Sequence, residues 1–235
     1  MEYFGNSSTG KIKRKNEDRF LIKKIRPDMI LLAIADGLGG QPAGHIAAQT
    51  AIKAIEFFIP GSDDLEKKVA ELIRKADDSV KKLSESDPKL EYTGTTLTIA
   101  LSDRNRIFWA HVGNTRIYHL KHNKLLQITT DQTMAQFLVE EGEITQEKAL
   151  NHPMQNLLDQ SLGCGDCEPE TGSFEVASGE IVLLCSDGLF SEIKPDHLKN
   201  ILGSKNKIKE KISLLINAAN DAGGKDNITA VAIEY

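Results

Sequence analysis

The sequence predicts an α+β sandwich, in which helices form a layer over a face of β-sheet. Residues 43–59, and then a segment from Leu65 to just before Pro88, carry apolar side chains at helical spacing. A succession of strands follows these two helices, between residues 92 and 128. Runs of strands bounded by runs of helices indicate α+β packing rather than a βαβ repeat. The chain has 235 residues, enough for a sizeable core, so we expect a single domain spanning 1–235.

The other predicted elements come from local patterns. Residues 1–25 are typical of two short strands joined by a polar turn at 5–10, and Ser62 or Asp63 is placed to cap the helix that begins at Leu65. Further strands are predicted at 92–101, 106–112, 115–120 and 124–128. Towards the C-terminus the patterns predict a short helix at 131–142, a turn capped by Thr145, an irregular stretch at 151–170, a helix at 204–222 and a strand at 228–234.

Composition argues against several classes of function. Charged residues make up 27% of the chain and hydrophobic residues 40%, both near the averages of globular proteins. The net charge is -5 and we find no basic stripe, so nucleic acid is not an expected partner. No apolar stretch approaches the ~20 residues of a membrane span, and no signal peptide is apparent. Three cysteines are too few for a disulfide framework, so we expect a cytoplasmic protein.

Three aspartates stand at the ends of apolar runs, each beside glycine. Asp36 and Gly37 follow the run at 29–35, Asp187 follows the run at 181–185, and Asp226 precedes the run at 228–233. Strands that share a core bring their ends together, and converging carboxylates without His or Cys suit Mg2+ or Mn2+. A divalent ion would also relieve the repulsion between them. The alternative is an ordinary turn, because Asp-Gly is common turn chemistry.

A CxxC pair, Cys164 and Cys167, lies in a Gly-rich stretch. Redox chemistry and zinc binding are the functional alternatives. No second CxxC or His pair completes a zinc set, and the pair does not begin a helix after a strand, as a thioredoxin-like motif does. We therefore interpret it as an ordinary loop.

An ordered set of motifs carries a family resemblance over nearly the whole chain. The motifs are Gly10-Lys11-Ile12-Lys13 with Asn16-Glu17-Asp18, Ala35-Asp36-Gly37-Leu38-Gly39-Gly40, Gly94-Thr95-Thr96, His111-Val112-Gly113-Asn114-Thr115-Arg116, Ser186-Asp187-Gly188-Leu189 and Lys225-Asp226-Asn227. Together they resemble the bacterial type of the PP2C (PPM) metal-dependent protein serine/threonine phosphatases. The resemblance implies two packed antiparallel β-sheets flanked by helical layers, an α-β-β-α sandwich. It also implies a small flap subdomain, at about 131–170, that borders the active site and helps to choose substrates.

The resemblance also implies the metal ligands. Two ions, Mn2+ or Mg2+, would be bridged by Asp36, with the Gly37 carbonyl as a further ligand. Asp187 and Asp226 would hold one of the ions, and Asp18 would act through water in the outer shell. The nucleophile would be a metal-activated water, with no covalent enzyme intermediate.

The chain departs from the family pattern at the phosphate-binding position. The family has Arg where this sequence has Lys13, and lysine keeps the charge but loses the two-pronged geometry. We expect Lys13 to contact the substrate phosphate with weakened affinity. Arg14 would substitute only if a strand slipped, because adjacent strand residues face opposite sides. The alternative is that Lys13 is a solvated surface charge.

A second departure concerns a third metal. Bacterial members usually carry Asp at the positions of Asn114 and Ser191, and those two residues hold a weaker third ion. With both positions neutral, the third site is expected to be weak or lost, unless Glu192 reaches in.

The resemblance predicts hydrolysis of phosphoserine and phosphothreonine on proteins, opposing a serine/threonine kinase. Two alternatives stay open: a low-activity phosphoprotein-binding or regulatory module with the same fold, and a phosphoesterase that acts on small molecules. Intact Asp36, Asp187 and Asp226 favour the enzyme over the module.

Overall fold

Two antiparallel sheets of five strands form the centre of the computed structural model, which describes residues 1–38, 43–61, 64–165 and 167–235. The first sheet has the order β1-β10-β9-β6-β7 and the second the order β2-β3-β4-β5-β8. The strands of the first sheet are β1 (Glu2–Ser8), β6 (Arg116–Lys121), β7 (Lys124–Gln127), β9 (Ile181–Cys185) and β10 (Ile228–Glu234). Those of the second sheet are β2 (Arg19–Arg26), β3 (Met29–Ala35), β4 (Leu97–Asp103), β5 (Arg106–Val112) and β8 (Glu170–Glu175).

Helices cover the outer face of each sheet. The second sheet packs against α1 (Gly44–Glu56) and α2 (Leu65–Ser86). The first sheet packs against α5 (Asp187–Phe190), α6 (Pro195–Leu202) and α7 (Ile208–Ala222). The segment between β7 and β8 contains two short helices, α3 (Met134–Glu140) and α4 (Gln146–Ala149). The predicted α-β-β-α sandwich is therefore confirmed.

Strand β3 shows why the layers form in this order. All seven of its residues are buried, as expected for a strand that is covered on both faces. Side chains alternate along a strand, so Leu31 and Ala33 pack against the helices while Ile30, Leu32 and Ile34 pack against the first sheet. An uninterrupted apolar run is thus the sequence signature of the centre of the sandwich.

The structure corrects several predicted boundaries. Strand β1 continues through Gly5 to Ser8, so the turn predicted at 5–10 begins later, and the last long helix begins at Ile208 rather than 204. Helix α2 is capped by Asp64, whose side chain accepts from the backbone N–H groups of residues 66 and 67; the predicted caps, Ser62 and Asp63, lie outside the described residues. Strand β8 and helices α5 and α6 were not predicted. Within the described ranges no helix is long and apolar enough to cross a membrane.

Candidate metal centre and its adjoining cleft

Four carboxylates lie at one end of the sandwich because the strands that carry them run antiparallel. Asp18 precedes β2 and Asp36 follows β3, and the register pairs Arg19 with Ala35. In the other sheet Asp187 follows β9 and Asp226 precedes β10, where Cys185 pairs with Ala230. Each pair thus stands at the same end of its own sheet. The two pairs meet because Asp18 accepts hydrogen bonds from Ser186, the neighbour of Asp187, and from Thr229 of β10.

The Gly94-Thr95-Thr96 motif fixes the backbone of Asp36. The Asp36 N–H donates to Thr96 Oγ1 at 3.0 Å, and its carbonyl accepts from Thr95 Oγ1 at 2.8 Å and from the Thr96 N–H at 2.9 Å. Gly37 lies so close to the start of α1 that an added Cβ would stand 2.3 Å from the Gly44 carbonyl oxygen. Only glycine fits there, so the turn that follows Asp36 is set by close backbone packing.

Asp18 joins the two sheets and keeps one oxygen free. Its Oδ2 accepts from the Oγ of Ser186, directly after β9, at 2.8 Å and from the Oγ1 of Thr229 in β10 at 2.6 Å. Its Oδ1 is buried and has no hydrogen-bond partner among the described residues. A buried carboxylate oxygen normally has a partner. The neighbouring side chain is the Asp36 carboxyl, so a proton shared with Asp36 or a bound cation would satisfy this atom.

Residues 9–17 form a loop that carries Lys13 to the carboxylates. Asn227 holds this loop: its Oδ1 accepts from the Glu17 N–H at 2.8 Å, and its Nδ2 donates to the Thr9 and Lys15 carbonyls. Gly10 has φ +77° and packs against the backbone of Asp226, where a Cβ would meet the carbonyl oxygen at 2.2 Å. Asn227 and Gly10 therefore decide where Lys13 lies, a role that reasoning from the motif order did not assign to them.

The ammonium of Lys13 lies 2.8 Å from Asp226 Oδ1. Burial lowers the pKa of Lys13, but the hydrogen bond and charge of Asp226 and the charges of Asp36 and Asp187 outweigh it, so the pKa is raised. The prediction about Arg14 used a wrong premise, because this segment is a loop and not a strand. Arg14 is nevertheless exposed, whereas Lys13 faces the carboxylates.

Burial and mutual repulsion make the carboxylates costly to ionise together. Burial raises the pKa of Asp18 to about 6, against the lowering effect of its hydrogen bonds to Thr229 and Ser186. Burial, followed by the charges of Asp18, Asp187 and Asp226, raises the pKa of Asp36 well above its ordinary value. Burial and the charge of Asp226 also raise the pKa of Asp187. A cluster with these properties gains stability from any cation that enters it.

Asn114 and Ser191 stand beside Asp187, each at a predicted third-metal position. The Asn114 side-chain amide donates to Asp187 Oδ2 at 3.2 Å. Ser191 donates its backbone N–H to the Asp187 carbonyl at 2.9 Å. Glu192 pairs with Lys225, at 3.5 Å between Oε1 and Nζ, and lies against Gly223. Glu192, which was named as the one carboxylate that would restore the third site if it reached in, is therefore paired with Lys225.

The donor set fits hard divalent cations. All four side chains offer carboxylate oxygens, which Mg2+ and Mn2+ prefer, and Asp18 Oδ1 is an unpartnered oxygen among them. Among the described residues no three acidic, histidine or cysteine side chains converge tightly enough to surround one ion. Lys13 and Asn114 instead occupy positions against Asp226 and Asp187. Ion binding at this edge would therefore involve rearranging these contacts and adding backbone carbonyl or water ligands.

A cleft of about 1160 Å³ opens beside the cluster. Its lining includes Asn114, Asp187 and Asp226 together with residues of α3, α4 and the turn after α4. The cleft is therefore large enough for much more than a phosphate group.

Arg116 connects the two sides of this cleft. Its Nε and Nη2 atoms donate to both carboxylate oxygens of Asp131, and its Nη1 donates to Tyr118 Oη at 2.8 Å. Its Cζ lies 3.5 Å from the ring centroid of Phe190 in α5. Gln132, in the segment that leads into α3, also bonds to Gly113: its N–H donates to the Gly113 carbonyl, and its Oε1 accepts from the Gly113 N–H. The motif that contains Arg116 gave no sign of this role.

The remaining candidates lie away from the cluster or outside the described residues. Cys164 and Cys167 are free, and burial raises the pKa of Cys167 to about 11. A reactive thiol needs a lowered pKa, so the loop interpretation fits Cys167 better than redox chemistry does. The Asp166 between them, and the Gly39 and Gly40 of the motif after Asp36, lie outside the described residues.

Comparisons with known proteins agree with this geometry. A family model described as protein phosphatase 2C matches residues 9–231. The serine/threonine phosphatase stp of Listeria welshimeri is 32% identical over 96% of this chain and 92% of its own length. The crystal structure of the Mycobacterium tuberculosis serine/threonine phosphatase PstP/Ppp superposes with a TM-score of 0.90 at 35% identity, covering 100% of this chain and 99% of that one. A structure of the PstP catalytic domain in complex with two manganese ions superposes with a TM-score of 0.87 at 35% identity, covering 99% and 97%.

Proposed function

Because the chain belongs to the protein phosphatase 2C family, we propose that it is a metal-dependent phosphatase that hydrolyses phosphoserine and phosphothreonine esters on proteins. The observation that carries the proposal is the meeting of Asp18, Asp36, Asp187 and Asp226 at one end of both sheets, with an unpartnered buried oxygen on Asp18. Its substrates are phosphorylated proteins, the products of serine/threonine kinases. Its place of action is the cytoplasm.

The centre would hold two divalent ions, Mn2+ or Mg2+. Asp36, the Gly37 carbonyl, Asp187 and Asp226 would be their ligands, and Asp18 would act through water. When bound, such a pair of ions acidifies a water molecule into a nucleophile and offsets the charge of the phosphoryl oxygens. The match with a relative that binds two manganese ions supports this number.

The chain's own residues position the reacting groups. Thr95 and Thr96 hold the backbone of Asp36, and the Ser186 and Thr229 hydroxyls orient Asp18. Lys13 binds the substrate phosphate, since its ammonium lies 2.8 Å from Asp226 Oδ1 and the neighbouring carboxylates raise its pKa, which favours the charged form. A compact ammonium contacts phosphate as a point charge, without the two parallel bonds of arginine.

A third ion binds weakly or not at all. Asn114 and Ser191 present neutral groups, and Glu192 is paired with Lys225. Mg2+ and Mn2+ give up hydrating water reluctantly and need anionic oxygens in exchange.

Residues 1–235 act as one domain, and 131–170 form a flap beside the centre. The family match over 9–231 supports the first statement. The second is supported by α3, α4 and the turn after α4, which line the cleft that reaches Asp187.

The test is hydrolysis of a phosphothreonine peptide with Mn2+, with Mg2+ and with a chelator. We expect turnover that depends on the added ion and is lost with the chelator. A nucleotide monophosphate assayed in parallel distinguishes a small-molecule phosphoesterase, which would prefer it over the peptide. Tight binding of the phosphopeptide without turnover at saturating Mn2+ would instead indicate a binding module and refute the proposal.

A further inference from the structure

We infer that the cleft beside the carboxylate cluster binds the residues that flank the phosphorylated residue, and that it selects substrates whose flanking side chains are uncharged. The inference rests on the proposed function, because it names the class of phosphoprotein segment that the same centre receives. It depends on the extent of the cleft, its charge balance and the chemistry of its outer edge.

The cleft is too large for the phosphorylated side chain alone. Its volume is about 1160 Å³, whereas pockets that enclose a whole drug-sized molecule measure roughly 300–1,000 Å³. Its lining includes Asp187 and Asp226 of the carboxylate cluster as well as Gln146 and Gln155 of the segment between β7 and β8. A substrate held at the cluster by its phosphate therefore extends its neighbouring residues along this cleft.

The charges that line the cleft are matched within the protein. Apart from Asp187 and Asp226, the charged lining residues form two pairs. Arg116 donates to both carboxylate oxygens of Asp131, and Lys225 lies 3.5 Å from Glu192. A charged substrate side chain that enters the cleft would lose hydration without gaining an unpaired opposite charge from the lining residues. Such a transfer is unfavourable for either sign.

Leu150, Gln155 and Asn156 line the part of the cleft that we call its outer edge. This edge offers side-chain amides instead of charges. Gln155 and Asn156 are exposed in the turn after α4 and line the cleft, and their side chains bond to no other group in the described part of the chain. By contrast, Gln136 and Gln146 bond to each other. An amide carries both donors and an acceptor, so Gln155 and Asn156 can pair with the N–H and C=O groups of an extended backbone. Leu150, 65% exposed on the same edge, adds an apolar contact.

The first experiment compares three phosphothreonine peptides of equal length. The residues on both sides of the phosphothreonine are alanine and serine in the first peptide, aspartate in the second and lysine in the third. We expect the uncharged peptide to have kcat/KM roughly tenfold above each charged peptide, since one unfavourable buried charge of about 1.4 kcal/mol produces that ratio. The difference should lie in KM. Para-nitrophenyl phosphate has no flanking residues and reports on the centre alone. If it and the peptides are all inert, the proposed function fails; if all peptides are cleaved equally well, only the present inference fails.

The second experiment introduces a charge at the proposed edge. Gln155→Lys should shift the preference towards the aspartate peptide, and Gln155→Glu towards the lysine peptide, by several-fold in opposite directions. Asn206→Lys and Asn206→Glu make the same changes in net charge at an exposed position outside the cleft and should leave the peptide order unchanged. The two Asn206 variants should cleave para-nitrophenyl phosphate at the wild-type rate, and the peptide rates of each Gln155 variant are divided by its own rate on para-nitrophenyl phosphate before the peptides are compared. Equal shifts for the Gln155 and Asn206 variants would overturn the inference, because the effect would then come from net charge. The same pair of substitutions at Asn156 provides a second position on the edge if a Gln155 variant fails to fold.

Discussion

Replacing Arg116 by lysine should weaken the connection between Phe190 of helix α5 and Asp131, in the segment that leads into α3. The guanidinium donates to Asp131 at 2.8 Å, 3.1 Å and 2.6 Å, donates to Tyr118 Oη at 2.8 Å and stacks on Phe190. A lysine ammonium is a point charge that can retain one bond to Asp131 but loses the planar fork and the ring contact.

The expected cost follows from these contacts. The side chains of Arg116 and Asp131 are both only 21% exposed, so solvent screens their interaction weakly. A hydrogen bond to a charged group contributes about 1.5–3 kcal/mol, so we expect Arg116→Lys to lower the free energy of unfolding by about 2 kcal/mol. Arg116→Met leaves the Asp131 carboxylate without its partner and should cost about 3–5 kcal/mol. The double variant Arg116→Met with Asp131→Leu should recover part of that loss, because no charge then stays unpaired.

Urea unfolding followed by tryptophan fluorescence measures these energies. Trp109 is the single tryptophan of the chain and is 6% exposed between the sheets, so its emission reports on the core. Arg104→Lys is the matched control, because its pair with Asp28 is exposed and should contribute at most about 1 kcal/mol. The single variants Arg116→Met and Asp131→Leu and their double variant form a double-mutant cycle, which gives the coupling energy of the pair. If Arg116→Lys costs no more than the Arg104→Lys control, or if this coupling energy is below about 0.5 kcal/mol, then Arg116 does not hold α5 to the segment that leads into α3.

Four further predictions concern the centre and its surroundings. Asp36→Asn should abolish phosphopeptide turnover while keeping the wild-type urea midpoint or raising it, because the change removes a ligand but relieves repulsion; near-wild-type rates at saturating Mn2+ would contradict the assignment. Lys13→Arg should lower KM for the phosphopeptide, since it supplies the forked donor, and an unchanged or higher KM would exclude Lys13 as the phosphate contact. The double variant Asn114→Asp with Ser191→Asp should bind a third ion in a Mn2+ titration followed by calorimetry. A third ion bound to the wild type at low millimolar Mn2+ would refute the prediction that this site is weak or lost. Burial lowers the pKa of His111 from 6.5 to about 4. Between these pH values the imidazole is protonated in the unfolded chain but not in the folded one, so this residue should lower the free energy of unfolding as pH falls from about 6.5 towards 4. The effect amounts to about 2 kcal/mol between pH 7 and 5, and His111→Gln should abolish that part of the pH dependence of the urea midpoint.

Three fully buried or almost fully buried strands were predicted to the residue, whereas several short elements were missed. The three strands, β3, β9 and β10, are apolar runs that helices cover on one face and the opposite sheet covers on the other. Strand β8 was missed: it lies at the edge of its sheet, and none of its six residues is fully buried. Helix α6 has only eight residues, of which Leu198 and Leu202 are buried. Its periodic signal is therefore too short to be distinguished from a loop.

The same distinction applies to the candidate centre. The meeting of Asp36, Asp187 and Asp226 was predictable, because each stands at the end of a buried strand and the strand ends share one edge of the core. The position of Lys13 was not, because a loop carries it and Asn227 fixes that loop across more than two hundred residues of sequence. No local pattern contains the information about such a long-range side-chain bond.

Two departures from the family pattern, Asn114 and Ser191, change the charge balance of the proposed centre. Asp18, Asp36, Asp187 and Asp226 carry four negative charges when ionised, and two divalent ions carry four positive charges. A third divalent ion would need two more carboxylates for balance, and Asn114 and Ser191 are the positions that lack them. The positive charge of Lys13 is then in excess of what the carboxylates require. An excess cation beside a balanced centre is the group that an incoming phosphate, itself an anion, would contact. The charge balance therefore supports the proposal of a centre for two ions and one phosphate. Lys13 supplies the same single positive charge as the arginine of the family pattern, so its replacement changes the geometry of the phosphate contact and not this balance.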